Sequence, residues 1–117
     1  MKKVLVVDDD YGIQDALVEI LKSENHIVES LSRGDQVMET IADFKPDVIL
    51  LDVMLGDMDG REICKMIKQD TKTKNVKVIM ISATHNLSDT LTRNGADDFI
   101  PKPFDMYELL DKVERAA

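Results

Sequence analysis

Five side chains in this 117-residue chain are suited to handling a charged oxygen: the carboxylates of Asp8, Asp9 and Asp52, the hydroxyl of Ser82 and the ammonium of Lys102. Carboxylates brought together repel one another, and one of them takes up a proton unless a cation relieves the crowding. A hard divalent cation suits a site built from a few carboxylates, a backbone carbonyl and water. Mg2+ is the expected ion, with Mn2+ as the alternative. With its charge relieved, Asp52 can stay ionised and attack as a nucleophile, and an attacking carboxylate forms an acyl phosphate with a phosphoryl group. The cation, Lys102 and Ser82 would then share the charge on the phosphoryl oxygens.

That chemistry requires elements that deliver the five residues to one place. Each follows a short apolar run: Val4 to Val7 before Asp8 and Asp9, Val48 to Leu51 before Asp52, and Val76, Val78, Ile79, Met80 and Ile81 before Ser82. A weaker run, Asp98 to Pro101, leads into Lys102, which lies between Pro101 and Pro103. Apolar runs of this length read as strands buried on both faces. Between them lie helical patterns. Ile13, Ala16, Leu17, Ile20 and Leu21 recur at helical spacing, with Asp9 or Asp10 as the cap and Asn25 at the stop. Ile27 to Leu31 reads as a second, more polar strand. Val37, Met38, Ile41 and Phe44 carry a second helix that ends at Lys45-Pro46. Ile63, Met66 and Ile67 mark one face of a third, Leu87 and Leu91 a short fourth that stops at Asn94-Gly95, and Leu109, Leu110 and Val113 a last one capped at Asp105.

Strand and helix therefore alternate as (βα)5, an α/β pattern that implies a doubly wound parallel sheet with helices on both faces. In such sheets ligands bind outside the C-terminal strand ends, where all five candidate residues fall. Residues 1–117 are expected to form one domain. The formal net charge of −8 lacks the basic face that nucleic acid requires, so this segment is not expected to bind it. Cys64 is the single cysteine, which excludes an intrachain disulfide. Asp8 to Asp10 cut the first apolar run too early for a signal peptide, and no run reaches membrane-spanning length. A cytoplasmic location without membrane contact is the expectation.

Val6-Val7-Asp8-Asp9, Leu50-Leu51-Asp52, Met80-Ile81-Ser82-Ala83 and Lys102-Pro103-Phe104 together resemble the signature segments of the two-component response-regulator receiver domain. Gly95-Ala96-Asp97-Asp98-Phe99 is similar to that family's approach to its fifth strand. The resemblance runs in order along essentially the whole chain. It implies a flavodoxin-like sheet of strand order 2-1-3-4-5. It further implies that Asp52 accepts a phosphoryl group from a sensor histidine kinase or phosphotransfer protein. Asp8, Asp9, Asp52 and the Met54 backbone carbonyl would hold Mg2+. Ser82 and Phe99 would be the switch hydroxyl and switch aromatic, and Lys102 would pair with the phosphoryl oxygens. The fourth helix, fifth strand and last helix would form the output face toward a downstream effector domain or protein, in a monomer or a phosphorylation-dependent homodimer. Such a domain is not a metabolic enzyme; its chemistry is self-catalysed acceptance and loss of phosphate.

Two positions depart from the family pattern. Gly56 stands where proline is usual, which loosens the loop that supplies the metal carbonyl. Phe99 replaces a frequent tyrosine and offers no hydroxyl. Met54 and Thr84 occupy positions that tune dephosphorylation in the family, and an apolar Met54 implies slow intrinsic loss of phosphate. A phosphatase with an aspartyl-phosphate intermediate would want an acid at position 54, where Met54 stands. An interaction module that is never phosphorylated need not keep all five polar residues. Elsewhere the plainer readings prevail: Asp57 to Gly60 as a turn and helix cap, Cys64 as a core residue, His26 as an exposed turn residue. Lys72, Lys74 and Lys77 read as a solvated loop and strand edge. His85 falls close enough after Ser82 to approach the site.

Overall fold

A computed structural model of the chain describes residues 1–56, 58–83 and 95–116. The strands are β1 (Lys3–Val7), β2 (Ile27–Leu31), β3 (Val48–Asp52), β4 (Lys77–Ser82) and β5 (Asp98–Pro101). All pair in parallel, in the order β2-β1-β3-β4-β5. The described helices are α1 (Tyr11–Ser23), α2 (Val37–Phe44, entered through a single 3-10 turn at Gly34–Gln36), α3 (Gly60–Gln69) and a C-terminal helix (Met106–Arg115). The expected fourth helix around Leu87 and Leu91, its stop at Asn94, and Thr84, His85 and Asp57 lie outside the described residues.

The period of two along each strand divides the core into two layers. Val4, Val6, Val48, Leu50, Ile79 and Ile81 point to one face, where Leu17 and Leu21 of α1 and Leu109 and Val113 of the C-terminal helix cover them. Leu5, Val7, Ile49, Leu51, Val78 and Met80 point to the other, against Val37, Ile41 and Phe44 of α2 and Ile63, Cys64 and Ile67 of α3. Each such aliphatic side chain contributes about 1.5–3 kcal/mol on full burial, so this two-sided burial, not the exposed polar contacts, fixes the sheet. β2 is the polar edge strand that its composition foretells, with Ile27 exposed.

Local chemistry sets the helix ends. Asp10, Asp59 and Asp105 each accept hydrogen bonds from the first backbone N–H groups of the helix that follows. Asn25 at φ 68° and Lys45 at φ 54° take the left-handed conformation just beyond α1 and α2. Gly60 is required by contact: a β-carbon there would overlap the carbonyl oxygen of Asp52, and the Gly60 N–H donates to Val53 O at 2.8 Å. That close approach seats the start of α3 directly behind the end of β3.

Two expectations are corrected. His26 is buried, not exposed: its Nδ1 accepts the Lys2 N–H at 3.0 Å, and its Nε2 lies 2.9 Å from Glu114 Oε1 of the C-terminal helix. Met66 is exposed, and the inner face of α3 is instead Ile63, Cys64 and Ile67. The polar stretch after α3 also holds one buried residue, Thr73, whose Oγ1 donates to Ile67 O at 2.7 Å.

Candidate functional site

β1, β3 and β4 end side by side: Asp52 and Ser82 close β3 and β4, and Asp8 and Asp9 directly follow β1. Asp8 and Asp52 are buried, and Asp9 is exposed beside them. One carboxylate oxygen from each of Asp8, Asp9 and Asp52 falls within 4.8 Å of the others. From the β5 side, Lys102 Nζ reaches Asp8 Oδ2 at 3.3 Å and Asp52 Oδ2 at 3.2 Å. Ser82 is buried on the neighbouring strand end, where its carbonyl accepts the Lys102 N–H at 2.9 Å. All five residues that the sequence singles out thus lie on one edge of the sheet.

The carboxylates are held by backbone as well as by Lys102. The Met54 N–H donates to Asp52 Oδ1 at 3.3 Å, and the Asp10 N–H donates to Asp8 Oδ1 at 2.9 Å. Position 54 carries an exposed thioether, a group with no proton to give. Gly56 lies against Asp9, with the place of its absent β-carbon 3.4 Å from Asp9 Oδ2, and its φ is outside the left-handed region. Phe99 is half-buried on β5 opposite Met80, two residues short of Pro101, which pairs with Ser82.

Electrostatics follows from this packing. Burial, and then the negative charge of Asp8, push the Asp52 carboxyl above the usual aspartate range; Lys102 and the Met54 N–H pull it back without cancelling the rise. Burial pulls the Lys102 ammonium down, but the summed attraction of Asp52 and Asp8 outweighs it and leaves its pKa above the usual lysine value. Among the described residues, three carboxyl groups face one ammonium at this edge. The donor set fits a hard divalent cation: the oxygens are close together, two of the acids are fixed by the fold, and exposed Asp9 leaves a side open to water.

One residue of the site escaped the motif reading. Gln14 is buried in α1, and its Nε2 donates to Asp8 O at 3.1 Å and Leu31 O at 2.9 Å, tying the ends of β1 and β2 together. The signal was present: Gln14 occupies the stripe continued by Leu17 and Leu21, where an apolar residue is the rule.

Comparison with known proteins agrees with this geometry. The family described as response regulator receiver domain matches residues 4–114. The DNA-binding dual master transcriptional regulator RpaA of Synechocystis is 32% identical over 115 residues, which are 97% of this chain and 48% of RpaA. The DNA-binding response regulator MtrA of Mycobacterium tuberculosis is 32% identical over 114 residues, which are 96% of this chain and 49% of MtrA. The chain thus spans about half the length of the curated relatives it matches. Among solved structures, the Vibrio cholerae chemotaxis protein CheY4 superposes with a TM-score of 0.92 at 26% identity, covering 100% of this chain and 99% of that one.

Proposed function

The chain belongs to the response regulator receiver domain family, and from that premise we propose that residues 1–117 act as one receiver domain that takes a phosphoryl group onto Asp52. Response regulators partner with histidine kinases and with effector domains, and receiver domains are not classical enzymes. The observation that carries the proposal is the meeting of Asp52 with Lys102 at 3.2 Å, inside a carboxylate cluster that calls for a cation.

Asp8, Asp9, Asp52 and the Met54 carbonyl are the groups that would hold Mg2+, with Mn2+ as a substitute. When bound, the ion screens the acids and draws charge from the phosphoryl oxygens. An Asp52 carboxylate oxygen attacks phosphorus, and the bond from phosphorus to the donor breaks with its electron pair leaving on the donor, a histidine nitrogen or a small acyl phosphate's oxygen. Lys102 moves from pairing two carboxylates to pairing a phosphoryl oxygen, and Ser82 supplies a hydroxyl from the β4 end. Phe99 carries the change outward along β5 to the face formed with the C-terminal helix, as a shift between existing conformers. Met54, exposed and apolar, cannot orient an attacking water, so the acyl phosphate is lost slowly. The signalling partner is a sensor histidine kinase or phosphotransfer protein, and the recipient is an effector domain or protein, acting in the cytoplasm. Among the described residues no helix is long and apolar enough to cross a membrane.

The test is incubation with Mg2+ and acetyl phosphate, read by intact mass. The wild type gains the mass of one phosphoryl group, and Asp52→Asn and a chelated sample gain none. No gain in the wild type, or a gain that persists in Asp52→Asn, overturns the assignment.

A further inference from the structure

Phe99 is held by a contact that the site itself does not need. β5 is an edge strand, paired only with β4. The Phe99 ring packs toward the layer of α3, whereas the C-terminal helix covers the opposite layer with Leu109 and Val113. Lys112 of that helix nonetheless reaches across the open edge of β5. Its Nζ stands 5.8 Å from the centre of the Phe99 ring and 2.8 Å from Asp98 Oδ1. The same Asp98 oxygen accepts the backbone N–H of Phe99 at 2.8 Å. One carboxylate oxygen therefore joins the main chain of Phe99 to the ammonium that sits by its ring.

We propose that Lys112 is a positioning residue for Phe99, and that the Asp98–Lys112 clasp holds the aromatic ring in its present orientation, half-buried against the α3-side layer. This rests on the reading of Phe99 as the switch aromatic. An ammonium is attracted to a ring only where the two are placed together, so the clasp favours the conformer in which they meet over any in which the ring has turned away. A ligand or bond made in one of two conformers shifts their ratio by its difference between them. The clasp is therefore a brake: it must be released, or its attraction forgone, whenever the Phe99 ring turns away from Lys112. The side chain of Lys112 is only about one quarter exposed and that of Asp98 two fifths, so water weakens the contact without abolishing it.

The test uses the whole 117-residue chain with Lys112→Met, Lys112→Arg and Asp98→Asn. Lys112→Met keeps an apolar stem and removes the charge. Two readouts are taken. The first is the side-chain rotamer population of Phe99, from carbon-13 labelled phenylalanine in unphosphorylated protein, which needs no phosphotransfer. The second is the initial rate of mass gain with Mg2+ and acetyl phosphate. Lys112→Met should shift the Phe99 rotamer ratio by about threefold and raise the initial rate by a similar factor. Lys112→Arg, which keeps the cation, should stay near wild type in both. Asp98→Asn should fall between them. A Phe99 ratio unchanged in Lys112→Met overturns the proposal, as does Lys112→Arg behaving like Lys112→Met. A rate change that scales with protein concentration also overturns it, because Lys112 would then act through association. If the wild type accepts no phosphate but the rotamer shift appears, the clasp stands and the phosphoacceptor reading falls.

Discussion

The two ends of one sheet treat charge in opposite ways. At the N-terminal strand ends, several acids and cations meet as pairs. Lys68 Nζ pairs with Asp97 Oδ2 at 2.6 Å and donates to Val76 O at 2.8 Å, while Asp97 Oδ2 also accepts the Val78 N–H at 2.9 Å. The Lys3 N–H donates to Asp47 Oδ2 at 2.9 Å, and His26 sits between the Lys2 N–H and Glu114. At the C-terminal ends, Lys102 is the one cation among the described residues that faces Asp8 and Asp52, with Asp9 beside them. The matched end ties α3 to the starts of β4 and β5, β1 to the start of β3, and the start of β2 to the C-terminal helix. The unmatched end stores repulsion that a divalent cation or a proton would relieve. The same residue types thus serve structure where they are balanced and chemistry where they are not.

The largest effect expected from breaking this contrast is at Lys102. In Lys102→Met the buried Asp8 and Asp52 lose their only close described cation, and the metal-free protein should lose about 3 kcal/mol at neutral pH, as when one partner of a buried ion pair is removed. Mild acid or Mg2+ should restore much of that loss, read by urea unfolding with and without chelator. Lys68→Met at the other end should cost about 2 kcal/mol through its lost charge-assisted bonds. Mild acid should rescue it less, because the orphaned Val76 carbonyl does not titrate, and Asp97 is about one third exposed and keeps the Val78 N–H and Lys77 at 4.0 Å. A Lys68→Met protein rescued by acid as fully as Lys102→Met would erase the distinction between the two ends.

Neutralising an acid should change stability with opposite sign at the two ends. Asp8→Asn removes one of the charges that raise Asp52 and keeps an oxygen for the Asp10 N–H. The metal-free protein should gain stability, because the repulsion on buried Asp52 is relieved while Lys102 keeps Asp52 as a partner. Asp97→Asn should instead lose about 1 kcal/mol, since the Lys68 ammonium loses its charged partner. Paired thermal melts in chelator check both signs, and a stabilising Asp97→Asn would contradict the reading of that end as matched.

What could be read in the sequence follows from range. Asp52, Ser82 and Asp8 were legible because an uninterrupted apolar run marks a strand and its last residue marks the edge. The limits of β5 were legible, since the run Asp98 to Pro101 read from the sequence is the observed strand. The matched end was less legible because its pairs depend on how distant elements cross. His26 becomes buried only when the C-terminal helix lays Glu114 over the start of β2, and nothing near His26 in the chain announces this. Lys112 meets Phe99 only because a helix on one face sends a long side chain around the open edge strand. Met66 misled for a local reason: Cys64 takes the inner position on α3, and the stripe turns Met66 outward. Gln14 was the opposite case, visible as a polar residue in an apolar stripe.

The smallest effect lies in the pH dependence of the unmatched end. The Asp52 carboxyl is raised in the folded chain above its ordinary value of 3.8, first by burial and then by Asp8. A folded state that holds a proton more tightly than the unfolded chain is stabilised by acid. The contribution of Asp52 is therefore fully present below the ordinary aspartate value and is lost as pH rises through its raised folded value. Other acids act in the opposite sense: Asp59, held down chiefly by its hydrogen bond to Arg61, favours the fold above the ordinary value and loses that as pH falls. The raw stability curve mixes both signs, but Asp59 is common to wild type and Asp52→Asn, so their difference isolates Asp52. In chelator, the stability of wild type minus that of Asp52→Asn should fall as pH rises from the ordinary aspartate value toward neutrality, and then level off. A difference that stays flat, or that rises across that window, would mean that Lys102 compensates Asp52 fully and that the two ends of the sheet are equally balanced.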